Sequence, residues 1–482
     1  MSSHLDPIIP TASLVGAPSG FTSLQRQRFV GIMVGAAVGD ALGAPFEFGP
    51  AGQYSKRFPS PVFGGIGEMV GGGGFNWAPG EFTDDTQMAL AMALTLVDAG
   101  GYAPDALWTA WRCWASDAAD VGNTTRASLR FPDWRNVTHR DPENTAANGA
   151  LMRVFPLAVA LAHTTDDEAR AVVLHQAALT HPHPAAGWGA WLAVAMMRAA
   201  VHGADPFVVL EQELGALPDT VAQRFSESLG PTWAPNQPHA GNGSVWGCLA
   251  EAVWAVRSTH SFDAAVIAAI ELGGDTDTVA CVAGALAGAI YGVQAIPSRW
   301  VTYLHGTVST PAGVRRFDAG DLQNIALQLA GVNVKAEQAP EPPAAPVAVA
   351  ERLYAANLMG AANAPDGHAT VSLCRTGERF TNRPVRRHVY LVDKLGDHNA
   401  ALAVAVHDAV ASIDALLAEG HHVVVHCFGG RSRTGLVLKA WKMRTDGCSE
   451  AEAHDWLEER WPLYVRSNPT FTEFLRTEWA TS

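Results

Sequence analysis

Apolar residues recur at helical spacing soon after the first twenty positions. Phe29, Ile32, Met33 and Ala36 fall on one face of a helix predicted over residues 24–42, with Ser23 at its N-cap position. A second helix is predicted from Asp84 to about Asp98, with Met88, Ala91, Met92, Thr95 and Leu96 on one side and Gly100 as the stop. A third, from about Asp105, carries Trp108, Trp111 and Trp114. Ala-rich helical patterns fill most of the remainder up to Gly292, and no convincing run of strand alternation precedes about residue 330. The expectation is an irregular N-terminus over 1–22 and an all-helical domain over 23–332.

The pattern then changes. A proline-rich stretch over 333–350, with Pro340, Pro342, Pro343 and Pro346, reads as a semi-rigid linker. Beyond it, residues 371–374, 388–392 and 423–425 are short β-branched runs of the buried-strand type. Between them Leu402, Val406, Val410, Ile413 and Leu417 keep helical spacing, and Ser449 with Glu452 forms a capping box. Strands alternating with helices over 351–482 predict a small α/β domain around a mostly parallel sheet.

Composition narrows the function classes. Forty-seven acidic against thirty-three basic residues give a net charge of −14, which argues against general binding to nucleic acid or to an anionic membrane. Residues 278–296 carry no charge and space Gly284, Gly288 and Gly292 as in packed membrane helices. That run is rich in Ala and Gly, follows two aspartates and lacks a basic flank, so a buried helix of a soluble protein is expected. None of the six cysteines forms a Cys-x-x-Cys pair, and the first basic residue is Arg26. A reducing, cytoplasmic setting without a signal peptide is expected.

Two acidic stretches carry the first candidate chemistry: Thr83-Asp84-Asp85-Thr86 and Gly273-Gly274-Asp275-Thr276-Asp277-Thr278. Each stands at a predicted helix start, where Thr83 and Asp275 are ordinary N-cap residue types. Read together, they cluster carboxylates and hydroxyls of the kind that hard divalent cations bind. Asp40 and Glu47 interrupt an apolar segment around Gly39-Asp40-Ala41-Leu42-Gly43 and therefore need partners or a ligand. Asp40 suits a hydrogen-bonded turn, and Glu47, after a proline, is the better site candidate. Residues 58–82 read as a long functional loop. Asn148-Gly149-Ala150-Leu151 opens a helix through a glycine turn whose free N–H groups suit a diphosphate.

The second candidate site is Cys427-Phe428-Gly429-Gly430-Arg431-Ser432-Arg433, between a strand and a helix. A tight loop there turns successive N–H groups inward as an anion nest. Arg433 grips two phosphate oxygens, and the same field activates Cys427 as a thiolate nucleophile. Ser432 or Thr434 is placed to stabilise the departing thiolate. Phosphoryl transfer to cysteine also needs an acid for the leaving oxygen. Asp397 is the favoured acid, because its rival Asp393 lies closer to the strand end.

From about residue 24 to 330 the chain resembles the ADP-ribosylglycohydrolase family, on six motifs in the family's order. These are Gly39–Gly43 with Glu47, Thr83–Thr86, Asp120-Val121-Gly122, Asn148–Arg153, Thr180-His181-Pro182 and Gly273–Thr278. The resemblance implies an all-α fold with two divalent cations, Mg²⁺ or Mn²⁺. It implies Thr83, Asp84, Asp85, Asp275, Asp277 and Thr278 as ligands, and catalysis by Glu47 and Asp84. Asp120, Gly122, Asn148, Gly149, Ala150, Leu151 and His181 would line the ADP-ribose pocket. From about residue 352 to 477 the chain resembles cysteine-dependent tyrosine and dual-specificity phosphatases, which implies Cys427, Arg433 and Asp397 as the catalytic set. The function expected is a two-headed hydrolase acting on an ADP-ribosylated protein and on a phosphorylated substrate. The alternative is an ADP-ribose or phosphate recognition protein with one active head.

Overall fold

The computed structural model describes residues 20–139, 142–235, 241–332, 341–380, 383, 385–466 and 468–481. The expectations for residues 1–19 and 333–340 lie outside these. The chain forms two compact units. One gathers Met1–Pro59, Met69–Val293 and Leu304–Val334; the other gathers Ser60–Glu68, Gln294–Tyr303 and Lys335–Ser482.

The first unit is built on two helices whose backbones touch, Ser23–Gly43 and Thr276–Tyr291. A methyl group added at Gly31, Gly35 or Gly39 would lie 2.3, 2.4 or 1.9 Å from the carbonyl oxygen of Gly288, Gly284 or Ala280. Only hydrogen fits between these helices. The small-residue spacing of Gly284 and Gly288 is therefore a helix-packing seam inside the protein, with both helices buried along most of their length. The seam brings the C-terminal end of the first helix to the first turn of the second, where the Thr276 hydroxyl donates to the Gly43 carbonyl (2.9 Å). The segment Ser23–Phe46 is long and apolar enough to cross a membrane, and 94 % of its apolar window is buried inside the fold.

Two local expectations change. The first helix is capped by Thr22, one residue before Ser23. Thr22 Oγ1 accepts the Gln25 N–H (3.1 Å) while Gln25 Oε1 accepts the Thr22 N–H (3.0 Å). From Ser23 the third residue on is Arg26, which has no acceptor with which to return the bond. The helical unit also carries an antiparallel hairpin, β1 (His305–Thr310) and β2 (Gly313–Asp318). Its strand signal is weak because Val314, Arg315 and Arg316 are all exposed, so β2 shows no alternation.

The second unit holds a five-stranded sheet of β3 (Val347–Ala350), β4 (Leu353–Asn357), β5 (Ala369–Ser372), β6 (Arg386–His388) and β7 (Val423–Cys427). The order is β3-β4-β7-β5-β6, parallel except for the β3–β4 edge pair. Helices Leu402–Ala418 and Ser432–Asp446 cover it. β3 and β4 give a weak strand signal because they are short, with Ala348, Ala350, Ala355 and Ala356 among their few residues, and because β3 takes in the end of the proline-rich stretch.

The strand expected over 388–392 stops at His388. Past it, an amide side chain takes the place of a neighbouring strand: Asn399 Oδ1 accepts the Val392 N–H (2.9 Å) and Asn399 Nδ2 donates to the Val392 carbonyl (3.1 Å). Ser60–Glu68 and Gln294–Tyr303 join this unit through buried polar contacts that a single cut in the linker does not anticipate. Glu68 accepts from Arg299 Nε (2.8 Å), Trp300 Nε1 (2.8 Å) and the Val62 N–H (2.9 Å), and Asp408 accepts the Ser298 N–H (3.0 Å).

Candidate active sites

The carboxylates of the first site come from three distant stretches of chain. Asp84 and Asp85 form the first turn of the helix Asp84–Ala99, and Asp277 lies in the first turn of Thr276–Tyr291. Neither Thr83 nor Asp275 caps its helix with its side chain. The cap on Asp84–Ala99 is Asp40, reached across the fold: its carboxylate accepts the N–H groups of Thr83 (3.0 Å) and Thr86 (3.1 Å) and the Thr86 hydroxyl. Asp40 is thus the hydrogen-bonded acid that the sequence suggested, and it aims the Asp84–Asp85 turn.

The Gly273-Gly274 turn aims the other half. Both glycines have positive φ (75° and 73°), and Gly274 pairs with Gly49, its N–H donating to the Gly49 carbonyl (2.9 Å). The Phe48 N–H returns a bond to the Gly274 carbonyl, which brings Glu47 alongside Asp275. A residue missed in the sequence holds this turn. Asn242 accepts the Asp275 N–H (3.1 Å) and donates to the Gly273 carbonyl (2.8 Å) and to Glu251 (2.8 Å). Its setting, an asparagine between two glycines ahead of a helix, was a turn signal; its partner was visible only in three dimensions.

The result is two carboxylate triads that share Asp277. Glu47, Asp275 and Asp277 bring ligand oxygens within 4.8 Å of one another, as do Asp84, Asp85 and Asp277. Thr83 and Thr278 direct their hydroxyls to Asp85 Oδ2 (3.4 Å each), and Asp277 accepts the Thr278 N–H (2.9 Å). Asp85 Oδ1 and Glu47 Oε2 are buried without a hydrogen-bond partner among the described residues.

So many acids in one dry site cannot all stay ionised unaided. Burial, then the neighbouring acids, push Asp84, Asp85 and Asp277 well above the usual carboxylate range. Burial together with Asp275, Asp120 and Asp40 pushes Glu47 up to about 8. An oxygen-only donor set that holds its protons for want of positive charge fits hard divalent cations.

The expected pocket residues gather at the same place. Asn148 donates to Asp275 Oδ2 (2.8 Å) and to the Asn242 carbonyl (3.0 Å). Gly149, Ala150 and Leu151 continue its buried turn. His181 packs on that turn: a Cβ at Gly149 would lie 2.9 Å from its Nε2. Burial, then Arg153 and His139, lower the His181 pKa well below the usual histidine value, so the ring is neutral. Asp120 is half-buried and raises the pKa of Glu47 and Asp84, and Gly122 begins the short helix Asn123–Leu129.

In the second site β7 delivers Cys427, which is only 2 % exposed, and the helix Ser432–Asp446 begins five residues later. Phe428, Gly429, Gly430 and Arg431 make the loop between them. Gly430 has φ +70°, and a Cβ there would meet the Ala356 carbonyl oxygen at 2.8 Å and the Trp461 ring at 3.0 Å. Trp461 Nε1 donates to the Gly430 carbonyl (2.6 Å), pinning the turn. Arg433 is fixed by donation to the Leu373 (2.9 Å) and Leu391 (3.3 Å) carbonyls, while its Nε has no hydrogen-bond partner among the described residues. Thr434 Oγ1 is buried and likewise has no hydrogen-bond partner among the described residues. Arg431 points outward to Glu341 (3.1 Å).

Of the two candidate acids, the structure brings Asp393 to this loop. Its Oδ1 accepts from Ser432 Oγ (3.0 Å) and Asn468 Nδ2 (3.1 Å), and its Oδ2 lies 4.0 Å from Arg433 Nε. Asp397 is exposed, and no hydrogen bond joins it to Cys427, Ser432 or Arg433. The strand ends at His388, and Asp393 is placed by Asn399 clamping the preceding Val392 and by its own bonds to Ser432 and Asn468. Asn468 is the other residue missed; its Asn-Pro step at a helix start marked it as an N-cap, a role it also fills for Pro469–Thr477.

The family profile described as ADP-ribosylglycohydrolase matches residues 22–339, more than half of the chain. The profile described as dual specificity phosphatase, catalytic domain, matches residues 370–479. The chain is 34 % identical to ADP-ribosyl-[dinitrogen reductase] glycohydrolase of Rhodospirillum rubrum over 286 residues, 58 % of this chain and 90 % of that protein. It is 32 % identical to ADP-ribosylarginine hydrolase Tri1 of Pseudomonas putida over 288 residues, 57 % of this chain and 73 % of that one. A solved structure titled ADP-ribosylglycohydrolase-related protein complex superposes with a TM-score of 0.51 at 32 % identity, covering 64 % of this chain and 99 % of its own. With its carboxylate site and its cysteine loop both in place, the chain belongs to the ADP-ribosylglycohydrolase family and carries a dual specificity phosphatase catalytic domain at its C-terminal end.

Proposed function

We propose that the chain is a bifunctional hydrolase. Its first head removes ADP-ribose from a modified protein, with ADP-ribosyl-arginine as the favoured linkage. Its second hydrolyses phosphomonoesters of protein tyrosine, serine or threonine. The convergence of Glu47, Asp84, Asp85, Asp275 and Asp277 into two triads sharing Asp277 carries the first half of this reading. The names of the two bacterial relatives, one an arginine hydrolase, support the linkage.

Two divalent cations, Mg²⁺ or Mn²⁺, fit the donor set, with Thr83 and Thr278 completing it. When bound, they supply positive charge that orients ribose hydroxyls and acidifies water. The chain's own residues do the rest. The Asn148 turn and the neutral His181 hold the diphosphate and nucleoside, and Asp120 takes a ribose hydroxyl. Cleavage breaks the bond from C1″ to the arginine nitrogen and adds water at C1″ through an oxocarbenium-like transition state. The carboxylates surrounding that charge stabilise it. Glu47 and Asp84 take the proton from water and return it to the departing guanidine nitrogen.

In the second head the Cys427 thiolate attacks phosphorus and the ester P–O bond breaks. Asp393 gives its proton to the leaving oxygen, and Arg433 with the loop N–H groups holds the phosphoryl oxygens. Water then attacks the cysteinyl phosphate, the P–S bond breaks, and Asp393 recovers a proton. The hydroxyl of Thr434, buried beside the loop, stabilises the departing thiolate.

The deciding assay is ADP-ribose release from an ADP-ribosyl-arginine protein in Mg²⁺, Mn²⁺ or EDTA, beside a serine-linked substrate and Asp84→Ala. Metal-dependent release from arginine, lost in the variant, is expected. Binding of ADP-ribose without release from either linkage would overturn the first assignment. Phosphatase turnover surviving Cys427→Ser would overturn the second.

A further inference from the structure

Gln294 lies outside the phosphatase sequence yet inside its fold. It belongs to the stretch that matches the glycohydrolase profile, and it is buried in the second compact unit. All three hydrogen-bonding capacities of its amide that face the protein are used on one loop. Gln294 Nε2 donates to Asn399 Oδ1 (2.6 Å) and to the Tyr390 carbonyl (3.1 Å), and Gln294 Oε1 accepts the Ala401 N–H (3.0 Å).

Those contacts bracket the segment that carries both candidate acids. Asn399 clamps Val392 by two bonds, closing the loop 393–398 at its base, and Gln294 ties that clamp to the chain on both sides of it. Between the clamped ends, residues 393–397 are exposed, and Leu395 is 63 % exposed. Ties further out on this segment include Asp393 to Ser432, Asn468 and Arg433, Asn468 to the Lys394 carbonyl, and the Gly396 N–H to Thr470. The clamp at the base fixes where the two ends of this exposed loop leave the fold, and so where its aspartates start from. An acid displaced by about 1 Å loses much of its effect on proton transfer.

We propose that Gln294 is a positioning residue for the phosphatase acid loop, so that the second head takes part of its catalytic geometry from the first head's stretch of sequence. An amide is required, because only an amide both donates to Asn399 and Tyr390 and accepts from Ala401. The proposal rests on the phosphatase reading above and concerns the loop, whichever of its aspartates is the acid.

The test uses the full chain with Gln294→Leu and Gln294→Glu, beside Asp393→Asn, on two substrates. Phenyl phosphate has a poor leaving group and needs the acid; p-nitrophenyl phosphate has a good one and needs it far less. Both Gln294 variants are expected to lose kcat on phenyl phosphate roughly 10- to 100-fold and on p-nitrophenyl phosphate less than about 3-fold. Alkylation of Cys427 by iodoacetate at the parent rate shows that the cysteine loop is intact. Equal losses on the two substrates, no loss on either, or alkylation lost in both variants would each overturn the proposal. If Asp393→Asn spares phenyl phosphate while the Gln294 variants lose it selectively, the choice of Asp393 fails and the role of Gln294 stands.

Discussion

The carboxylate of Asp40 accepts both the backbone N–H (3.1 Å) and the hydroxyl (2.5 Å) of Thr86, forty-six residues further along the chain. This pair fixes the turn from which Asp84 and Asp85 project, so one buried acid sets the direction of two others.

Replacing it should therefore act on stability and activity together. Asp40→Ala leaves the buried N–H groups of Thr83 and Thr86 without acceptors. The expected cost is about 2–4 kcal/mol in urea unfolding of the helical unit, with ADP-ribose release lost in parallel. A variant with parent stability and parent turnover would show that the Asp84 turn holds itself.

Metal-free protein should lose stability as pH rises. Glu47 ionises at about 8 in the fold against an ordinary 4.5, with burial and then Asp275 as the main causes. The folded state thus keeps a proton that the unfolded chain has released. By linkage, stability is highest below the unfolded value and falls as pH climbs through the folded one. In EDTA, the Tm of the helical unit at about pH 8.5 should be lower than at about pH 6, and Glu47→Gln should flatten the slope. Saturating Mn²⁺ or Mg²⁺ should remove most of the difference, because cations compensate the ionised oxygens. A Tm rising over this range in EDTA would contradict the burial argument.

Gly39→Ala should separate the two central helices. Its Cβ would fall 1.9 Å from the Ala280 carbonyl oxygen, which is backbone and cannot swing aside. The expected loss is about 2–3 kcal/mol of stability. ADP-ribose turnover should fall with it, since the displaced helix end carries Asp40 and Gly43. Gly20→Ala, where nothing lies within 4 Å, is the control and should leave both unchanged.

The two candidate acids of the second head can be ranked directly. Asp393→Asn should reduce kcat on phenyl phosphate by roughly 100-fold or more, with a much smaller loss on p-nitrophenyl phosphate. Asp397→Asn should cost much less. The reverse order would return the role to Asp397 and make the Asp393–Ser432 contact a structural one.

By itself, the sequence determined which residue types each head gathers at its candidate site. Thr83–Thr86, Gly273–Thr278 and Cys427–Arg433 are legible because clustered acids and hydroxyls, or a cysteine and an arginine around glycines, sit within a few positions of one another, where local turns and helix starts already dictate their geometry. The helix periods and the β-branched β7 are legible for the same reason: their signal is local. Contacts between distant stretches were decided only in the tertiary structure. That Asp40 caps a helix forty residues away, that Asn242 holds the Gly273 turn, that Asp393 rather than Asp397 meets Ser432, and that Gln294 serves the phosphatase loop all depend on pairings with no sequence period. An amide or carboxylate is a general-purpose partner, and its spacing in the chain says nothing about which distant donor it will meet. The packing of the elements that carry them selects that partner, as the Gly31–Gly35–Gly39 seam does in setting the end of the helix that carries Asp40 against the turn of Thr276.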